Sequence, residues 1–147
     1  MILDEPVASL DPLARSEFLA DLMELASDGL SIVLSSHLLA DVERVCDHLI
    51  VLATGRIRLA GDVDDLLAAH KLLVGARRDP ARLPADQTVI QQSHTDRQSI
   101  LLVHTTKPVL DPSWTVTEVG LEDLVLAYVA APSADAHMVA PMLRSAG

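Results

Sequence analysis

The chain begins Met1-Ile2-Leu3-Asp4-Glu5-Pro6, a short apolar run that delivers two adjacent carboxylates. An aspartate at a strand end can hold a divalent cation directly or through water, and a neighbouring glutamate can orient and deprotonate a water molecule for attack. Ser9-Leu10-Asp11-Pro12 follows closely, and Ser31-Ile32-Val33-Leu34-Ser35-Ser36-His37 presents a histidine at the end of a second apolar run. Taken singly, each has a plain explanation: Asp4-Glu5 as a solvated strand end, His37 as a capping or core histidine. Their joint order and spacing point to one shared site.

The elements that must position these residues follow from local pattern. Residues 1–5 read as a strand. Asp11 suits the cap of a helix whose first position is Pro12, because proline lacks only an N–H that would be unpaired there. Leu19, Leu22, Met23 and Ala26 recur at helical spacing, and Asp28-Gly29 closes that helix. Residues 32–34 predict a buried strand, and Leu38, Val42, Val45 and Cys46 mark one face of a second helix, with Cys46 a core thiol. Residues 48–53 and 56–60 predict a hairpin turning at Thr54-Gly55. Asp62 is expected to cap a short helix running to about His70, with Asp65 placed to complete the cap. This strand–helix–strand–helix–strand order predicts an α/β layer with parallel pairing.

Further on the texture changes. Arg77, Arg78, Asp79, Pro80, Arg82 and Pro84 suggest a linker. Residues 88–91, 99–104 and 114–119 read as short strands, with Trp114 a core anchor, and 121–131 as an apolar helix. The expected organisation is one region over residues 1–70, a small α+β accessory region over 71–131, and a flexible tail over 132–147.

Composition narrows the function classes. The chain has 147 residues, a formal charge of −10, and one each of Phe, Tyr and Trp. That balance offers neither a basic face nor an aromatic platform for nucleic acid. Cys46 is the sole cysteine, which excludes an intrachain disulfide and a cysteine-rich zinc site. His48, His70, His94, His104 and His137 fall at no metal-ligand interval, and Asp62, Asp64 and Asp65 read as an acidic first helical turn. The first residues lack the basic region and cleavage site of a signal peptide, and no apolar run reaches the ~18 residues needed to span a bilayer.

Asp4-Glu5-Pro6, Ser9-Leu10-Asp11 and His37 together resemble the Walker B motif, D-loop and H-loop of ATP-binding-cassette (ABC) ATPases. The resemblance continues through Val51-Leu52-Ala53-Thr54-Gly55-Arg56-Ile57, Gly61 and Asp65-Leu66-Leu67, in the manner of transporter ATP-binding subunits, and covers roughly residues 1–70. It implies the C-terminal part of a P-loop NTPase (ABC-type) α/β domain, with ATP and Mg²⁺ as cofactors. In that scheme Asp4 is the metal ligand and Glu5 the general base. His37 would contact the γ-phosphate and couple it to Glu5, and Ser9 and Asp11 would reach across a head-to-tail dimer. The implied partners are a second ATPase subunit and a transmembrane permease, with no nucleic acid. The implied location is cytoplasmic, peripheral to the membrane, and the C-terminal extension resembles those of export-type subunits.

The sequence contains neither Gly-x-x-x-x-Gly-Lys-Ser/Thr nor Leu-Ser-Gly-Gly-Gln, and its only lysines are Lys71 and Lys107. The family places those motifs before Walker B, so the expectation is a fragment with a clipped first strand and negligible ATP binding by itself. Two alternatives stand beside it. One is a non-catalytic remnant that binds or regulates an intact ABC ATPase. The other is a DNA-repair ABC ATPase, disfavoured by the lack of heptads and of basic charge.

Overall fold

Asp11 does what its sequence context requires. Its Oδ1 accepts from the N–H groups of Leu13 and Ala14, both at 3.0 Å, and Pro12 takes the first position of helix α1 (Pro12–Ser27). The helix stops where Gly29 turns the backbone left-handed, at φ +93°. This computed structural model describes residues 1–79 and 83–131, and it divides into two compact units, Met1–Cys46 and one beginning at Asp47. The expected tail over 132–147 and the middle of the expected linker lie outside the described residues.

In the first unit, β1 (Ile2–Asp4) pairs in parallel with β2 (Val33–Ser35), α1 lying between them in sequence, with Ile2 opposite Val33, Leu3 opposite Leu34 and Asp4 opposite Ser35. A short helix α2 (Leu39–Val45) follows. Val7, Leu19 and Leu22 form the buried centre, against which Leu3, Phe18, Ile32 and Leu38 pack. The strand expected to be buried over 32–34 is covered on one face only. Ile2 is 82% and Val33 61% exposed, because period-two alternation turns both away from the layer that packs on Leu3. Cys46 is not on the inward face of a helix: it lies one residue past α2, half-buried in extended backbone.

The second unit opens with a hairpin, β3 (His48–Ala53) against β4 (Arg56–Asp62). Thr54 and Gly55 both take positive φ, +52° and +73°, the pattern whose twist suits a two-residue hairpin loop. Asp62 caps α3 (Val63–Ala68) through Asp65 N–H at 3.1 Å. That helix ends short of His70, which belongs instead to β5 (His70–Ala76), a strand the sequence reading did not anticipate. β5 lies inside a four-stranded antiparallel sheet of order β6-β7-β5-β8, with β6 (Gln87–His94), β7 (Gln98–Thr105) and β8 (Trp114–Glu118). Its core joins Leu73, Leu101, Val103 and Trp114. Gly75 is required there, since a Cβ would sit 2.7 Å from the Trp114 ring.

Helix α4 (Leu121–Ala130) buries Leu121, Leu124, Ala127 and Tyr128 and packs on β3, β4, β6 and α3. Arg58, 4% exposed, ties its end down: Nε donates to the Tyr128 carbonyl at 3.2 Å and Nη2 donates to that of Ala131. Among the described residues, parallel pairing is confined to β1–β2. β3 pairs with β4 in an antiparallel hairpin, so the expected parallel pairing is found between the first two strands.

Candidate functional site

Two adjacent parallel strands end side by side, and the chemistry-bearing residues sit at or just beyond their carboxyl ends. This is the usual position for ligand contacts in open α/β sheets. β1 delivers Asp4 and then Glu5, and β2 delivers Ser35 and, two residues on, His37. The Nδ1 of His37 lies 2.9 Å from Glu5 Oε2. The two side chains are 68% and 38% exposed, so this contact is worth about 0–1 kcal/mol and orients the groups more than it stabilises the fold.

Glu5 adopts φ +44°, rare for a residue with a Cβ. Its N–H is shared between the carbonyl oxygen of Ser35 at 3.1 Å and the hydroxyl of Ser35 at 3.0 Å. The same hydroxyl donates to Asp4 Oδ1. The loop that follows is anchored by Val7, which is fully buried, and by turn bonds from Ala8 N–H to the Glu5 carbonyl and from Leu10 N–H to the Val7 carbonyl, each 3.2 Å. An apolar residue two places beyond Glu5 therefore holds the acidic loop onto the core. The Ser36 hydroxyl accepts from Leu38 N–H at 3.0 Å and shapes the approach to α2.

The structure thus brings Asp4, Glu5 and His37 to one place. It leaves Ser9 exposed in the turn and commits Asp11 to capping α1, and among the described residues neither bonds to that trio. Sequence reasoning missed Ser35 and Val7. The only signal for either was position, Ser35 closing the second strand and Val7 lying between the carboxylate pair and Ser9-Leu10-Asp11. As a metal centre the site is incomplete: among the described residues no group of three or more His, Cys, Asp or Glu could hold an ion.

No protein-family model matches the chain. Curated relatives do match about half of it. An uncharacterised ABC transporter ATP-binding protein of Nostoc sp. is 36% identical over 70 residues, which is 48% of this chain and 21% of that protein. The ABC-type transporter ATP-binding protein EcsA of Bacillus subtilis is 42% identical over 65 residues, 44% of this chain and 26% of EcsA. The thiamine import ATP-binding protein ThiQ of Vibrio parahaemolyticus is 34% identical over 70 residues, 47% of this chain and 30% of ThiQ. The chain therefore spans only 21–30% of the length of these relatives. Over this stretch the matched half of the chain is similar to part of several ATP-binding proteins of ABC transporters.

Proposed function

We propose that this chain supplies the metal-and-water side of an ATP-hydrolysing site in an ABC transporter ATP-binding subunit. The observation that carries the reading is the Glu5–His37 contact of 2.9 Å beside Asp4, at the ends of two adjacent parallel strands. A glutamate held by a histidine can align and deprotonate a water molecule, which is the part protein side chains play in phosphoryl transfer to water.

Mg²⁺ is commonly held by one or two carboxylates together with substrate phosphates, and Asp4 fits as one such ligand. Bound Mg-ATP supplies the transferable phosphoryl group and the metal's charge. Asp4 would fix the metal, Glu5 would orient and take the proton from the water, and His37 would hold Glu5 and meet the terminal phosphate. Ser9 and the Asp11 backbone region would face a second ATP-binding subunit. The 147 residues contain no glycine-rich phosphate loop, so the cradle must be contributed from outside them.

The ATPase would work at the cytoplasmic face of a membrane on a transmembrane permease. No helix among the described residues is long and apolar enough to cross a membrane. The matched half gives no argument for export, since relatives sharing it include one named for thiamine import. Export remains the direction that the extension over 71–131 suggests. That region serves as an α+β accessory to the ATP-binding part, residues 1–70. A second reading is a non-catalytic module that pairs with an intact ATPase.

The test combines the chain with a polypeptide carrying Gly-x-x-x-x-Gly-Lys-Ser/Thr and the Leu-Ser-Gly-Gly-Gln loop from an ABC ATP-binding domain. Expected are Mg²⁺-dependent ATPase activity and its loss by about 100-fold or more in Glu5→Gln, with ATP binding retained. Tight association without any ATPase activity would favour the non-catalytic module, and wild-type turnover by Glu5→Gln would remove Glu5 as the base.

A further inference from the structure

Ser35 stands directly opposite Asp4 in the β1–β2 register, and its one hydroxyl makes two contacts. It donates to Asp4 Oδ1 and accepts from Glu5 N–H at 3.0 Å. An aspartate oxygen that already accepts from a hydroxyl keeps one lone pair and is the weaker donor to a cation, which favours Oδ2. That distinction is chemical: Ca²⁺ accepts bidentate carboxylates in a loose shell, whereas Mg²⁺ demands a compact octahedron built from single oxygens. The second contact acts on the general base. A glutamate at φ +44° keeps that backbone only where its surroundings impose it, and here two oxygens of Ser35 hold its N–H.

We propose that Ser35 is a specificity-determining positioning residue. By engaging Asp4 Oδ1 it biases Asp4 towards one-oxygen coordination through Oδ2 and favours Mg²⁺ over Ca²⁺, and by holding the Glu5 amide it keeps the Glu5 carboxylate facing His37. The cation half of this inference rests on Asp4 being the metal ligand of the proposed ATPase; the backbone half does not. An ordinary cross-strand hydrogen bond would add stability without discriminating between cations, and this difference makes the assignment testable.

Two variants suffice, Ser35→Ala and Ser35→Thr, the second retaining the hydroxyl. In the 147-residue chain without nucleotide, hydrogen exchange at the Glu5 amide is followed by NMR. Loss of one of its two acceptors should speed exchange about tenfold in Ser35→Ala and leave Ser35→Thr close to wild type. Equal rates in wild type and Ser35→Ala would overturn the hold on Glu5.

In the complemented ATPase, ATP affinity is measured with Mg²⁺ and with Ca²⁺ in turn. The preference for Mg²⁺ should fall about fivefold in Ser35→Ala and persist in Ser35→Thr. An unchanged preference would overturn the cation role, including the case where both affinities drop together, as a purely structural defect would produce. Wild-type ATP binding that needs no divalent cation would instead remove Asp4 as a ligand, and the cation half of the inference with it. The exchange result then still judges Ser35 against Glu5.

Discussion

Tyr128→Phe removes one oxygen from the most completely buried polar contact of the second unit. The Tyr128 hydroxyl lies 2.9 Å from His70 Nε2, with Tyr128 and His70 2% and 1% exposed. His70 Nδ1 lies 2.6 Å from the Leu66 carbonyl, which can only accept, so Nδ1 carries the proton and neutral Nε2 needs a donor. The variant leaves that nitrogen buried without one, a loss of about 1–2 kcal/mol at pH 8.

Burial lowers the His70 pKa below its ordinary value, the Leu66 carbonyl opposes that shift, and His104, with its ring centroid 5.0 Å away, adds to it. The unfolded chain then binds the His70 proton more tightly than the folded one. Stability is complete above about pH 6.5 and declines as the pH falls from there towards the lowered folded value. Burial lowers the pKa of His104 as well, which acts in the same sense. Trp114 is the sole tryptophan and sits in the core of the sheet that contains β5, so its fluorescence during guanidinium unfolding reports this unit. A Phe variant as stable as wild type at pH 8 would refute the account of the hydrogen bond. A wild type more stable at pH 5 than at pH 8 would refute the direction of the titration.

Asp11→Ala should cost about 1 kcal/mol of local stability in α1 and speed hydrogen exchange at the Leu13 and Ala14 amides, since one oxygen serves both. Unchanged exchange at those amides would show that the cap is not used in solution. Gly75→Ala should destabilise the four-stranded sheet by about 1–3 kcal/mol, because the added Cβ would meet the Trp114 ring at 2.7 Å and the Ser113 carbonyl at 2.9 Å. A red-shifted Trp114 emission would mark the displaced ring, and a wild-type spectrum with wild-type stability would count against the close approach.

What the sequence disclosed was mostly local. Asp11-Pro12, Thr54-Gly55 and Asp62 each satisfy their own backbone within a few residues, and each boundary they imply occurs. β5 was hidden because nothing inside residues 70–76 requires a strand. Its identity comes from β7 and β8 on either side, partners about 30 and 45 residues away in sequence, while His70 and Gly75 blur its ends. The exposure of Val33 was hidden for a related reason: an apolar run reveals a strand but not how many of its faces find a cover. The meeting of Asp4, Glu5 and His37 at the ends of two strands was legible because their spacing is distinctive. Ser35 was not, since a serine closing a strand looks like any polar residue until its register partner proves to be Asp4.

The hold of Arg58 on the end of α4 has a consequence for inheritance. Residues 47–70 and 121–131 are bound into one body through a buried guanidinium and the packing of α4 on the hairpin. A recombination crossover near residue 70 would part that cation from the carbonyls it serves and leave the apolar side of α4 facing an unfamiliar hairpin. A crossover between Cys46 and Asp47 leaves the Arg58 tie whole, and it falls where the compact units divide. Exchange of the sheet among related chains should therefore carry the hairpin along with it, and folded chimaeras should cluster their joins at that earlier position.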